Sequence, residues 1–315
     1  MNSKLLLKDR GFTLHFALFA VQIIFGTWPI VGKVALRSIS STSLVALRVV
    51  GAAAAFMLLQ VKLGQLRRIP KRDLSWLVLC SVLGVAFNQL LFVKGLSLTT
   101  VINATLLGTT IPVFTLVVSI AFGYDRLSLR RTLGIALAAS GVIYLVDPLR
   151  ADFTAQTNTG NLLILTCALL YGAYIAISRD LFKRYGALNV ITWMFCISSL
   201  VMVPVGAYAL SGDQLQTAPV SVWLAVIYII LVPTVVAYYL NAWALTRVSP
   251  STVATYIYLQ PLIAFSLAPL ILGERFNSRI VIASLLIFSG VGVVTKRGRS
   301  RAVKEVAEHP DALAH

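Results

Sequence analysis

Ser249 to Glu274 reads SPSTVATYIYLQPLIAFSLAPLILGE. The run is apolar for long enough to cross a bilayer core, which takes about 20 residues. It nevertheless carries Pro261 and Pro269, opens on a Ser-Pro-Ser-Thr cap and closes on Gly273-Glu274. A soluble helix would tolerate neither the length nor the prolines. The same stretch recurs earlier in weaker form. Sliding the chain along itself by 149 residues puts Pro112 on Pro261, Leu96 on Leu245 and Asp125-Arg126 on Glu274-Arg275. Without a gap it also puts Arg130 on Arg279 and Ser140-Gly141-Val142 on Ser289-Gly290-Val291. The chain reads as two copies of one unit.

Composition agrees. The 315 residues are 58% hydrophobic and 12% charged, with mean hydropathy +0.86, whereas a soluble domain carries about 25% charged residues. The net charge of +16 would suggest nucleic acid in a soluble protein. Here the basic residues stand between apolar runs, so they describe topology and no nucleic-acid partner is expected. Cys80, Cys167 and Cys196 all fall inside apolar runs; they read as small buried hydrophobes, without disulfide or metal spacing. The basic N-terminus MNSKLLLKDRGF could imitate a signal peptide. Its apolar run continues to about Leu36 with no small-x-small cleavage site, so it reads as an uncleaved first span.

Ten spans are predicted: 14–35, 42–61, 74–94, 99–123, 129–146, 160–180, 188–210, 220–243, 250–272 and 279–295. With the N-terminus inside, twenty Lys and Arg fall in cytoplasmic segments and five outside, at Arg37, Lys94, Arg150, Arg275 and Arg279. The positive-inside rule thus puts both termini in the cytoplasm. The first halves of the two units match at a shift of 146, with Gly26 on Gly172, Trp28 on Tyr174 and Lys33 on Arg179. Five helices per unit is an odd number, so the second unit lies inverted relative to the first. Inverted repeats put a substrate site at mid-membrane and give alternating access. The predicted division is 1–13 cytoplasmic N-terminus, 14–146 first five-helix repeat, 147–159 extracytoplasmic connection, 160–295 second repeat and 296–315 disordered cytoplasmic tail.

Several motifs now stand together. They are Phe25-Gly26-Thr27-Trp28-Pro29 with Lys33, Arg48, Gly95-Leu96 before Thr99–Leu107, and Pro112. The second unit adds Ala244-Leu245, Ser249-Pro250-Ser251, Gln260-Pro261, Leu272-Gly273-Glu274 and Ser289-Gly290. As a set they resemble the drug/metabolite transporter superfamily, EamA type, over residues 14–295. At Tyr124-Asp125-Arg126 the acid is kept and the preceding glycine is not. The resemblance implies ten helices around a central cavity, and export of amino acids or other small metabolites.

Candidate site residues follow from polarity. Lys33 and Arg48 are cations in or near the membrane core, where a charge costs at least ~2.5 kcal/mol by insertion scales. Each fits either a positive wall for a substrate carboxylate or a structural role. Lys33 can snorkel to the interface, and Arg48 can pair with helix-end carbonyls; the structural role is favoured for Arg48. No Asp or Glu lies mid-span, so no carboxylate proton relay is visible, and His15 at the inner mouth reads as interfacial. Asn88, Gln89, Asn103, Thr105, Asn241 and Gln260 must face other helices or a cavity. An interfacial aromatic belt accounts for Trp76 and Trp223. It accounts less well for Trp28, Tyr174, Tyr238, Tyr239, Tyr256 and Tyr258. The predicted cavity is therefore lined by Trp28, Asn88, Tyr174, Tyr238, Tyr256 and Gln260, with Lys33 at its outer rim. Pro112 and Pro261 fit a fixed bend or a gating hinge.

The sequence points to an all-α integral membrane transporter in the cell membrane, with the bilayer and a small-molecule substrate as its partners. It is read as a monomer or a homodimer, not an enzyme, and without cofactor or metal. No GxxxxGK[ST] loop marks an ATPase. Two alternatives stay open. A sugar-phosphate or nucleotide-sugar exchanger would call for adjacent cations in 250–272, which has none. A membrane-embedded non-transport protein would call for a catalytic cluster.

Overall fold

The structure is a computed structural model that describes residues 3–123, 129–146, 156–213, 218–248 and 250–295. Among these every regular element is helical. We number the rods α1 (Ser3–Ala35), α2 (Ser41–Leu63), α3 (Lys71–Leu98), α4 (Val101–Ala121), α5 (Leu129–Val146), α6 (Gln156–Tyr185), α7 (Ala187–Gly212), α8 (Val220–Leu245), α9 (250–272) and α10 (Ser278–Thr295). Seven stretches are long and apolar enough to cross a membrane: Thr13–Ala35 of α1, and α2, α3, α4, α6, α7 and α8. Thr132–Leu145, Tyr256–Leu272 and Ser278–Gly290 are shorter apolar helices. The Tyr124-Asp125-Arg126 motif, the 147–155 connection and the 296–315 tail lie outside the described residues.

Local chemistry sets the boundaries. Ser40 caps α2 by accepting from the Ser43 amide at 3.2 Å, and Gly64 ends it in the left-handed region at φ 60. Thr100 caps α4 by accepting from the Asn103 amide at 3.1 Å. The predicted span 99–123 is broken in the structure by a turn at Thr109–Thr110. Both threonine hydroxyls donate backward, to the Leu106 and Leu107 carbonyls at 2.6 Å. Pro112, which has no N–H to give, opens the second piece. In α9 a 3₁₀ turn at Tyr256–Leu259 precedes Pro261 in the same way. α3 and α8 each carry a π-helical segment, at Val82–Ala86 and Ile230–Val236.

Leu58, Leu200, Leu224, Leu270 and Leu285 are exposed. An outer surface this apolar would aggregate in water and suits lipid. Inside, one core cluster is built mainly from α1, α2, α3, α6, α7 and α8, with Val253, Ala254 and Ile257 of α9. A second is built mainly from α4, α5, α9 and α10, with Ile30, Leu96 and Ile164 from α1, α3 and α6. α5 packs chiefly on α10, and a Cβ on Gly290 would lie 2.3 Å from the Ala138 amide nitrogen. Without a hydrophobic drive between helices in lipid, such close backbone approach supplies the packing. Between the two clusters the helices leave a void.

Candidate functional site

The void measures about 90 Å³, several times the ~10–15 Å³ that one water needs. Its polar wall comes from Arg48, Asn88, Gln89, Thr105, Tyr171, Tyr238 and Gln260; Phe25, Trp28, Phe92 and Ile164 form the apolar side.

Arg48 is the charged group of this wall and is 3% exposed. Its guanidinium lies over the Trp28 ring, 4.3 Å from the centroid, a cation–π contact. Phe92 stacks on that indole at 6.1 Å. On the other side Arg48 Nε donates to Thr234 Oγ1 at 2.6 Å. The acceptor is prepared by Pro233, inside the π-helical segment of α8. Pro233 cannot donate to the Ile229 carbonyl four residues earlier, so the Thr234 hydroxyl does, at 2.6 Å. This leaves the Thr234 oxygen lone pairs for arginine. The π-helical segment thus holds the guanidinium in place, a common use of such turns at functional sites.

The second polar group centres on Tyr238. Gln89 Nε2 donates to its hydroxyl at 3.3 Å, and the hydroxyl donates onward to the Gly84 carbonyl at 3.3 Å. With the amide nitrogen so engaged, Gln89 Oε1 is left as a buried acceptor with no partner. Asn88 Nδ2 donates to the Cys167 carbonyl at 3.1 Å and contacts its Sγ. Asn241 Nδ2 donates to the Tyr171 hydroxyl at 2.9 Å. Gln260 Nε2 donates to Gln22 Oε1 at 2.7 Å, tying α9 to α1.

The sequence profile of the EamA-like transporter family matches residues 13–146 and again 158–296. The chain belongs to this family. It is 30% identical over 245 residues to YdfC of Bacillus subtilis, an uncharacterized transporter, covering 77% of this chain and 75% of that protein. It is 26% identical over 294 residues to a probable terminal-alkyne amino-acid exporter of Streptantibioticus cattleyicolor, covering 91% and 97%. A protein crystal structure at 18% identity superposes with a TM-score of 0.65 over 90% of this chain and 97% of that one, which shows a shared fold. The molecule is a multi-pass membrane transporter of the EamA-like family.

In this EamA-like chain the cavity wall holds four of the residues expected from sequence: Trp28, Asn88, Tyr238 and Gln260. Three others lie elsewhere. Tyr174 is 1% exposed; its ring covers Gly84, tilts against Tyr171 and meets Phe182 edge-on. Tyr256 sits in the 3₁₀ turn of α9 and faces α1, where its hydroxyl hydrogen-bonds and its ring stacks on His15. Lys33 is half-buried near the end of α1, with Glu274 as the acidic group acting on it. Among the described residues the lining also includes Tyr171, Gln89, expected from sequence to face other helices or a cavity, and Arg48, for which the sequence favours a structural role. Two signals were present. Tyr171 lies one turn before Tyr174 on α6, and the shift of 149 pairs Gln89 with Tyr238.

Proposed function

We propose that this transporter moves a small amino acid or close relative outward, with the substrate carboxylate on Arg48. The observation that carries the reading is a buried arginine without an acid: among the described residues no Asp or Glu lines its cavity, and the ion pairs gather at Asp73. A central membrane charge costs about 2.5–3.5 kcal/mol on insertion scales, and a carboxylate ligand offsets that cost by pairing with the guanidinium fork. Gln89 Oε1, an orphan acceptor on the same wall, suits the substrate's ammonium group. Trp28 and Phe92 offer faces to an apolar side chain. The printed name of the Streptantibioticus relative, an amino-acid exporter, agrees in substrate class. A sugar-phosphate exchanger is less well served, because among the described residues Arg48 is the one cation lining the cavity.

The reading of movement counts the three shorter apolar helices as spans beside the seven longer ones. It takes the chain as two inverted five-helix repeats in the cell's inner membrane, with both termini cytoplasmic and the cavity at their interface. Rocking of one repeat against the other then exposes Arg48 alternately to each side. Without a mid-span carboxylate, transport runs as facilitated flow or exchange.

Counterflow in proteoliposomes tests the proposal. Vesicles loaded with unlabelled amino acids should accumulate the labelled compound, and the matching amine or methyl ester should not drive uptake. Arg48→Met should abolish counterflow while the protein still accumulates and unfolds at an undiminished temperature, because an apolar residue relieves a buried charge. Exchange of sugars or nucleosides but not of amino acids would overturn the proposal.

A further inference from the structure

A second hollow lies at the basic end of the molecule, which the charge pattern assigns to the cytoplasm. Its volume is about 560 Å³ and its lining is polar. Among the described residues four cations line it, Arg67, Lys183, Arg184 and Arg247, and no carboxylate does. Arg184 is already paired with Asp73 at 3.0 Å. Arg247 is laid flat, 3.9 Å above the Trp243 ring, with NH1 donating to the Trp243 carbonyl at 3.0 Å.

The first residues of α7 also line this hollow: Gly186, Ala187, Leu188 and Asn189. This 26-residue helix has Gly186 as its cap residue and no side-chain cap, so its leading N–H groups and the positive end of its dipole are open to an anion. Asn189 adds an independent sign. It is 5% exposed, and its Oδ1 accepts from the Arg67 amide at 3.0 Å, which fixes the orientation of the side-chain amide. Its Nδ2 is then a buried donor with no partner. Trp193 Nε1 donates to the Arg67 carbonyl at 2.9 Å. The backbone of Arg67 is therefore clamped to α7 on both sides, which seats its side chain at the mouth. A buried amide donor without an acceptor costs about 1–3 kcal/mol, and an oxyanion supplies the acceptor.

We infer that this hollow binds a phosphate group, carried either by the head of an anionic lipid or by a free phosphate compound. The α7 N-terminus and Asn189 Nδ2 supply neutral donors, while Arg67, Lys183 and Arg247 supply charge. The site is separate from the Arg48 cavity, with no lining residue in common, and does not depend on which metabolite that cavity carries.

Thermal unfolding of the purified full-length protein tests it, with chloride at matched ionic strength as the control. One arm adds inorganic phosphate to protein in phosphatidylcholine nanodiscs. The other uses phosphatidylglycerol nanodiscs without phosphate. A rise of several degrees with phosphate identifies a free phosphate compound, and a rise with phosphatidylglycerol alone identifies a lipid head. Asn189→Asp keeps the acceptor for the Arg67 amide and puts a carboxylate on the α7 N-terminus. It should raise the unfolding temperature in chloride and erase the response to either ligand. Arg247→Gln should weaken that response about tenfold. Indifference of the wild type in both arms, or an unchanged response in both variants, overturns the inference.

Discussion

Gln89 Nε2 donates to the Tyr238 hydroxyl at 3.3 Å, and the two residues stand 149 apart in the chain, the same shift that lays the sequence on itself. Both residues line the cavity, and in the proposed inverted-repeat arrangement their contact falls where the two units meet. Other features keep the same spacing. The π-helical segment at Val82–Ala86 falls on that at Ile230–Val236, and the turn at Thr109–Thr110 falls on the 3₁₀ turn at Tyr256–Leu259. Gly26 approaches Ile263 as Gly172 approaches Phe114, with the glycines related by the shift of 146 and their partners by 149.

Tyr238→Phe removes one hydroxyl that serves two partners. Both Gln89 Nε2 and the Gly84 carbonyl lose their contact, and buried orphan groups cost about 1–3 kcal/mol. We expect a lower unfolding temperature together with reduced counterflow. Because Gln89 would be free to rotate, the loss of transport should exceed that of any peripheral variant matched for stability. An unaltered transport rate would assign Tyr238 to packing alone.

How far the sequence could be read depends on which signal each feature leaves. Hydropathy and the repeat were legible because apolar length and spacing are properties of the chain itself. Trp28, Asn88, Tyr238 and Gln260 were legible as polar or amphipathic groups with no aqueous surface. The surroundings of Arg48 were not legible, because its partners, Trp28 and Thr234, come from other helices and the π-helical segment that orients Thr234 leaves no periodic mark. Tyr174 matches Trp28 in the repeat but does not share its place on the cavity wall among the described residues. The symmetry gives the pair equivalent places in the chain, while Gly84 opens room that draws the tyrosine ring into packing. Tyr256 was drawn away by His15, a contact between residues 241 apart.

That account of Tyr174 can be tested. A Cβ on Gly84 would lie 2.6 Å from Tyr174 Cδ2 and 2.7 Å from Cγ, atoms at the base of a fully buried ring that cannot swing aside. Gly84→Ala should destabilise by about 1–3 kcal/mol, as overpacking does. Tyr174→Leu should recover much of that loss in the double variant, read by thermal unfolding. Tyr174→Phe should transport at close to the wild-type rate. Loss of transport in Tyr174→Phe at normal stability would return this residue to the site.

Topology is tested by labelling. Gly64 adopts φ 60, so cysteine there would be strained, whereas its neighbour Gln65 is exposed. Single cysteines at Gln65 and Gln156 should react with an impermeant maleimide from opposite sides of intact cells, Gln65 from the cytoplasm. The charge asymmetry of the connections requires that outcome. Reaction of both from outside would refute the ten-span arrangement.

Glu274 provides the last prediction. It follows Gly273, which ends α9 in the left-handed region at φ 69, and its carboxylate reaches the start of α4. Oε1 accepts from the Val101 amide at 2.7 Å, and Oε2 from the Ile102 amide at 2.9 Å. A carboxylate on two leading amides gains from both the hydrogen bonds and the helix dipole. One side chain of the second unit thus holds a helix of the first, at the end where Lys33 lies. Glu274→Gln keeps the shape, drops the charge and should cost about 0.5–2 kcal/mol, the range for losing a helix cap. Val101 is fully buried, so a cysteine there should resist maleimide in the wild-type background. In the Glu274→Gln background the same cysteine should react faster as α4 and α9 part. An equal labelling rate in the two backgrounds would make Glu274 an ordinary cap with no hold on this end of the transporter.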